Sequence, residues 1–338
     1  MITARLKYLI TFILPISAWI GFYYQGWTSW LTLIISFGVI PLVESLLPID
    51  KSNSVDQLKS QVSFFRLLLW LIVPIQWGSL LWFFTRVSQA DFSEASIWGN
   101  GTAMGILCGV YGINVAHELG HSTKKFDQVL AKFLLLSSLY MHFFIEHNFG
   151  HHKWVGTPDD AATARKNESV YRFWIRSIVR GFVSSWKIEN QRINRKKQSF
   201  IRHQIAQFVI LEIALIAMLS LWSWETAVAF IGVSVMGILL LETVNYIEHY
   251  GLVRNKVNDF RYEEVIPAHS WNSDHVLGRI VLFELSRHSD HHANPERPYP
   301  LLRSLPEAKH MPAGYPAMML LSLVPSWWFR IMNPHLEN

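Results

Sequence analysis

Six apolar runs, 6–24, 27–47, 64–84, 98–116, 205–224 and 226–246, each come close to or exceed the roughly 20 residues that a helix needs to cross about 30 Å of hydrocarbon. Runs of that length leave little choice of architecture. The fold class expected is an all-α integral membrane protein, one membrane-embedded unit over 1–338 with six transmembrane helices. Composition agrees, because the chain is 51% hydrophobic and 16% charged, where soluble domains carry about 25% charged residues. The run 6–24 follows Arg5 and contains Lys7, as a cleavable signal would. It is long enough to span and has no convincing small-residue cleavage site, so it is expected to remain.

A seventh run, 129–145, is shorter and decides the topology. His117 and His121 precede it, while His147, His151 and His152 follow it. A crossing would put the two groups on opposite faces of the bilayer. If they share a metal centre, the run must lie along the surface or dip in without crossing, which leaves six spans and both termini on one side. The stretch 153–202 holds 12 Lys or Arg against 4 acidic residues. Positive loops stay inside, so the histidine-rich elements, 117–204 and 247–338, are expected in the cytoplasm beneath an inner membrane. A net charge of +5 concentrated in such loops speaks for membrane orientation rather than nucleic acid. The basic stretch reads as a helix resting on anionic lipid, as a dock for an acidic redox partner, or as both.

Nine of the chain's 15 histidines fall in four short pieces. They are H-E-L-G-H (His117, His121), E-H-N-F-G-H-H (His147, His151, His152), N-Y-I-E-H-Y-G-L (His249) and R-H-S-D-H-H (His288, His291, His292). A spacing of four puts two imidazoles on one helix face. Cys108 is the single cysteine, which excludes a four-thiolate site or an iron–sulfur cluster ligated from within the chain. Neutral nitrogen ligands suit iron, copper or zinc, and nine are too many for one ion. Two metal ions are implied, and a split of five and four would leave room at each for oxygen or water. His249, alone in its piece, reads equally as a ligand or as a structural residue. Glu118, Glu146, Glu248 and Asp290 adjoin these histidines and are candidates to fix ring orientation from behind. Asp159 and Asp160 would serve likewise or merely begin a helix. Isolated His142, His203, His310 and His335 read as hydrogen-bonding anchors, while His269 and His275 lie just ahead of the last piece.

The H-E-L-G-H string also fits an intramembrane zinc metalloprotease, with Glu118 as general base. That reading would leave at least six clustered histidines idle, since catalytic zinc takes about three protein ligands. Beyond the last span, Pro295, Pro298, Pro300 and Pro306 break any helix, and 317–328, interrupted by Pro325, is expected to be interfacial.

Taken together, in this order and spacing, the four pieces resemble the membrane alkane 1-monooxygenases of the fatty acid desaturase and hydroxylase superfamily, with xylene monooxygenase a close neighbour. The match runs from about Ala116 to Leu302, and N-Y-I-E-H-Y-G-L separates this group from ordinary desaturases. The resemblance implies a non-haem diiron site held by all nine histidines, His249 included. It implies O2-dependent hydroxylation of a terminal methyl group, with electrons from rubredoxin or a ferredoxin and its reductase, and an apolar hydrocarbon substrate. Hydroxylation of an alkyl-aromatic methyl, or desaturation of an acyl chain, are the neighbouring chemistries. Ser122 stands where a Lys commonly follows the first motif and Ser286 where Gln is usual, departures that touch substrate preference. Glu242, near the end of the last apolar run, reads as lining the route to the metals or as bonding another helix.

Overall fold

In hydrocarbon a backbone N–H finds no water, so a long apolar run closes its hydrogen bonds within itself. The computed structural model describes residues 5–53, 58–89, 94–259 and 261–337, and all six expected runs are helical in it. The first is a 3-10 segment, Lys7–Phe12, continuing into α1 (Ile13–Tyr24). It is followed by α2 (Gly26–Leu46) and α3 (Lys59–Val87). α4 (Ala95–Leu107) passes through a π-turn, Cys108–Asn114, into α5 (Val115–Gly120).

The seventh run is not one helix. α6 (Lys125–Leu136) ends in a reversal in which Leu139 takes a φ of +48°, and a short α7 (Phe143–Glu146) then leads into a second π-turn, His147–His151. α8 (Val170–Arg195) is amphipathic and opens on Ser169, whose hydroxyl accepts from the Arg172 N–H. α9 (Gln204–Trp222) and α10 (Trp224–His249) follow. Among the described residues α2, α3, α9 and α10 are the helices long and apolar enough to cross a membrane. Lys7 in the first segment, and Asn100, Asn114 and several glycines in α4 and its π-turn, dilute the other two.

The last ninety residues contain the only strands among the described residues. β1 (Lys256–Asn258) pairs antiparallel with β2 (Arg261–Tyr262), and β3 (Trp271–Asn272) pairs in parallel with β4 (Lys309–His310). Between and after them come α11 (Val276–Val281), α12 (His288–Ala293), α13 (Tyr315–Ser322) and α14 (Pro325–Glu337). The break between α13 and α14 falls at Pro325, which lacks the N–H needed to continue the first helix.

Close approach of the π-turn Cys108–Asn114 to α10 anchors the stretches that lead to His117 and His249. A Cβ at Gly237 would stand 2.7 Å from Cys108 Cβ and 2.9 Å from the Gly109 nitrogen, and one at Gly109 would stand 3.3 Å from the Gly237 oxygen. Without a hydrophobic drive between helices in lipid, such small-residue contacts supply the van der Waals packing that holds them. A second apolar core lies at the C-terminal end of α10, where Tyr246, Tyr250, Trp271, Met318 and Trp328 pack together.

Candidate metal centre

Four elements bring the nine histidines together. His117 lies in α5 and His121 at its C-terminus; His147 and His151 bound the second π-turn, with His152 directly after it. His249 ends α10, and His288, His291 and His292 belong to α12. Their ring nitrogens form two compact sets, each able to hold a metal ion. One is His117, His121, His147, His152 and His291; the other is His151, His249, His288 and His292. Within the first set Nε2 atoms of 117 and 291, 121 and 147, and 147 and 152 stand 2.9, 3.1 and 3.0 Å apart. In the second, Nε2 of His288 stands 3.0 Å from that of His249 and 2.9 Å from that of His292. The sets adjoin, with the His152 and His292 ring centroids 4.5 Å apart.

The spacing of four expected to pair His147 with His151 instead divides them between the sets. In a π-turn the hydrogen bond runs to the fifth residue, so positions five apart share a face. His147 and His152 therefore meet, while His151 turns toward the second set. His117 and His121, and His288 and His292, pair as their spacing predicts.

The tautomers can be read from the outer nitrogens. His249 Nδ1 donates to the His269 carbonyl at 3.2 Å, and His151 Nδ1 donates to Asp160 Oδ2 at 3.0 Å. His288 Nδ1 faces Glu248 Oε1 at 3.2 Å. A neutral ring that donates through Nδ1 presents a lone pair at Nε2. His151 Nε2 is buried and meets no hydrogen-bond partner among the described residues. Lone pairs converging at 3.0 Å repel unless they share a cation, so the donor set fits a metal. Burial first, and adjacent imidazoles second, hold His117, His147, His152, His288, His291 and His292 well below the usual histidine range, and His121 at about 3. The rings are thus neutral, as ligation requires.

The four flanking carboxylates part company. Glu248 faces His288 and accepts from the Tyr315 hydroxyl. Glu118 accepts from the Tyr299 N–H at 2.9 Å, Asp290 binds Arg297 and Arg303, and Glu146 packs on Gly150 and Gly181. Glu118 is thus engaged away from the role a protease would give it. Asp160, read in the sequence either as a ring-orienting carboxylate or as the start of a helix, holds His151. Burial opposes its ionisation, but His151 and the Thr163 hydroxyl outweigh that and keep it below the ordinary carboxylate range. The signal in the sequence is faint, since a helical turn and a loop, eight residues together, separate it from its ring.

The isolated histidines take other roles. His203 accepts from the Ala206 N–H at the start of α9, His275 meets Ser273, and His269 contacts Glu263 at 3.2 Å while its carbonyl positions His249. His142 stacks edge-on with Tyr140 and Phe182. Ser122 donates to Asp127 and Ser286 to the Ser273 carbonyl. Glu242 accepts from Tyr140, joining α10 to the reversal after α6.

Two concavities flank the centre. One is apolar and narrow, lined by Phe37, Ile106, Leu240, Val244 and Leu285, with Asn114 one turn before His117. The other is an open basin of about 1190 Å³ that reaches His121 and carries Lys132, Lys153, Arg180, Lys187 and Arg195 on its wall.

Residues 95–322 match the fatty acid desaturase family model. The chain is 37% identical to an alkane 1-monooxygenase of Ectopseudomonas oleovorans over 98% of its own length and 86% of the relative's. An alkane 1-monooxygenase 1 of Alcanivorax borkumensis is 38% identical over 97% and 84% respectively. A xylene/toluene monooxygenase hydroxylase component of Pseudomonas putida is more distant, 28% identical over 98% and 89%.

Proposed function

Because this chain belongs to the fatty acid desaturase family, among its alkane 1-monooxygenases, we propose that it hydroxylates the terminal methyl group of alkanes, consuming O2, two electrons and two protons and releasing water. The observation that carries the reading is the pairing of a five- and a four-imidazole set with an apolar cavity that begins one helical turn away. Two iron ions are the cofactor proposed, and when bound they supply O2 reduction and oxidation of an unactivated C–H bond.

His117, His121, His147, His152 and His291 would hold one iron; His151, His249, His288 and His292 would hold the other. Asp160, Glu248 and the His269 carbonyl stand behind His151, His288 and His249, which keeps the Nε2 atoms of these three rings aimed inward. An alkane offers no hydrogen-bonding handle, so Phe37, Ile106, Leu240, Val244 and Leu285 select it by shape and exclude water.

The topology proposed has six spans, with both termini and the metal centre on the cytoplasmic face of the inner membrane, and 1–338 acting as one unit. Support comes from His121 and His147, which flank the segment 122–146 and stand 3.1 Å apart at Nε2, so that segment leaves and returns to one side. The excess of Lys and Arg over 153–202 supports the side. Electrons would come from rubredoxin or a ferredoxin, small acidic proteins suited to the basic basin beside His121.

Metal analysis of the purified protein should find about two irons per chain, one for each histidine set. One zinc and no iron would sink the oxygenase reading in favour of a protease. Supplied with reductant, O2 and octane, the protein should yield 1-octanol. Xylene and an acyl substrate, run in parallel, test the neighbouring chemistries; the similarity to the xylene/toluene component keeps benzylic methyl hydroxylation as the second reading. If only a double bond forms, hydroxylation is the wrong reaction.

A further inference from the structure

α8 is held at the height where two spanning helices end. Its first half lies against the last two turns of α10, since Trp174 Nε1 donates to Thr243 Oγ1 at 3.1 Å and Tyr246 donates to the Glu168 carbonyl at 2.7 Å. Its last turns lie at the start of α9, where Glu189 accepts from the Gln204 N–H at 2.7 Å. A helix tied to the ends of two spans runs along the membrane surface.

Three faces of α8 can be told apart. Phe173, Ser177, Gly181 and Ser185 are buried, and Gly181 lies against Glu146, next to His147. Arg180, Lys187 and Arg195 line the basic basin. Tyr171, Ile175 and Val179, four apart along the helix, form a stripe that no protein covers, with Ile175 72% and Val179 57% exposed, and Val183, the next in the row, marks its border with the basin. The stripe continues beyond the helix. Tyr171 donates to the Leu323 carbonyl at 2.6 Å, and exposed Val324 and Trp327 extend it along the start of α14.

Charge around the stripe is one-sided. Glu168 and Glu189 are neutralised within the protein by Arg176 and Arg192, Asp160 is buried, and exposed Asp159 lines the basin instead. Its rim cations are Arg172 on α8, Arg330 on α14, and Lys197 and Arg202 just past the end of α8, all exposed.

We propose that α8 and the α13–α14 hairpin form a platform seated in the membrane interface, with the stripe in the acyl boundary and the rim cations on anionic phospholipid headgroups. Apolar side chains on one face with cations beside them, at the level where spans leave hydrocarbon, are what such an interface accepts. A docked acidic protein is the competing occupant, but the cations it would meet first line the basin, on a different face.

Full-length Val179→Cys and Gln191→Cys variants in nanodiscs, treated with a membrane-impermeant maleimide, test the seat. Native Cys108 is buried, so the label reads the new thiol. Val179→Cys should react about tenfold more slowly than Gln191→Cys, which lies on the basin face. Equal rates overturn the proposal, as does shielding that appears only when an acidic redox protein is added. Should Val179→Cys lose its metal, Ile175→Cys replaces it. The headgroup is tested separately in mixed phosphatidylglycerol and phosphatidylcholine. Phospholipid retained through purification should be enriched in phosphatidylglycerol about threefold over the mixture supplied. The combined Arg172→Gln, Lys197→Gln and Arg202→Gln variant should return that ratio to the supplied one; unchanged enrichment overturns the anionic part.

Discussion

At the scale of single residues, the ring positions depend on partners that are not themselves ligand candidates. Asp160 is buried, holds His151 through Nδ1, and is itself fixed by the Thr163 hydroxyl. Asp160→Asn keeps the shape but lets the amide nitrogen face the ring, which removes the reason for the Nδ1–H tautomer. Metal affinity of the four-imidazole set should fall by about 10- to 100-fold, read as metal retained against a graded chelator. His249→Ala removes a ligand outright and should bring iron from about two per chain toward about one; full occupancy would return His249 to a structural role. Eight of the nine histidines were legible in the sequence because dense imidazole clusters have no other common use, whereas His249, alone in its piece, was legible only through the resemblance of that piece to the family. Their partition was not, since it depends on which backbone turn carries His147 to His152. Asp160 was hard to see for another reason: its partnership is made through a loop, where no periodicity links sequence distance to contact. Glu118 and Asp290 show the converse, because adjacency to a histidine along a helix points a carboxylate to a different side from the ring.

At the scale of elements, the two π-turns do what no α-helical register can. Each lies where a helix reaches the centre, Cys108–Asn114 before His117 and His147–His151 within the second piece. A π-turn holds one residue more than the α-turn it replaces, so removing one residue should restore the regular helix. Phe149 is 58% exposed and costs little packing to delete. Its deletion would swing His151 and His152 by about 100° relative to His147 and should abolish metal binding while helical circular dichroism stays unchanged. The close approach of the first π-turn to α10 gives a prediction of the opposite kind. Gly237→Val places a branched side chain where even a Cβ stands 2.7 Å from Cys108, and the overpacking should cost about 1–3 kcal/mol, seen as a lower Tm in detergent. The apolar runs were legible as helices because length and hydropathy suffice for that. The reversal near Leu139 was legible only through the demand that both sides of it serve one centre.

At the scale of the whole molecule, a cluster of imidazoles that burial keeps neutral ties stability to pH and to metal. An unfolded histidine titrates near 6.5, while burial and its neighbours hold His121 at about 3 in the folded chain and the other shifted rings well below their usual range. A lowered folded value means that between the two the unfolded chain binds more protons than the native one, so native stability rises with pH across that window. Read downward, the metal-free protein should be most stable above about pH 6.5 and should lose stability steadily as pH falls toward 3. Several rings share the sign, so their slopes add. A bound metal opposes the loss by competing with protons for the same lone pairs, until acid displaces it. Thermal unfolding of chelator-stripped protein in nanodiscs between pH 7.5 and 4.5 should therefore show a Tm that falls with acid, and reloading iron should raise Tm most at the upper end, where the ligands need not be deprotonated first. A stripped protein whose Tm is flat over this range would mean that the imidazoles are already solvated without metal, and that the centre is not preformed.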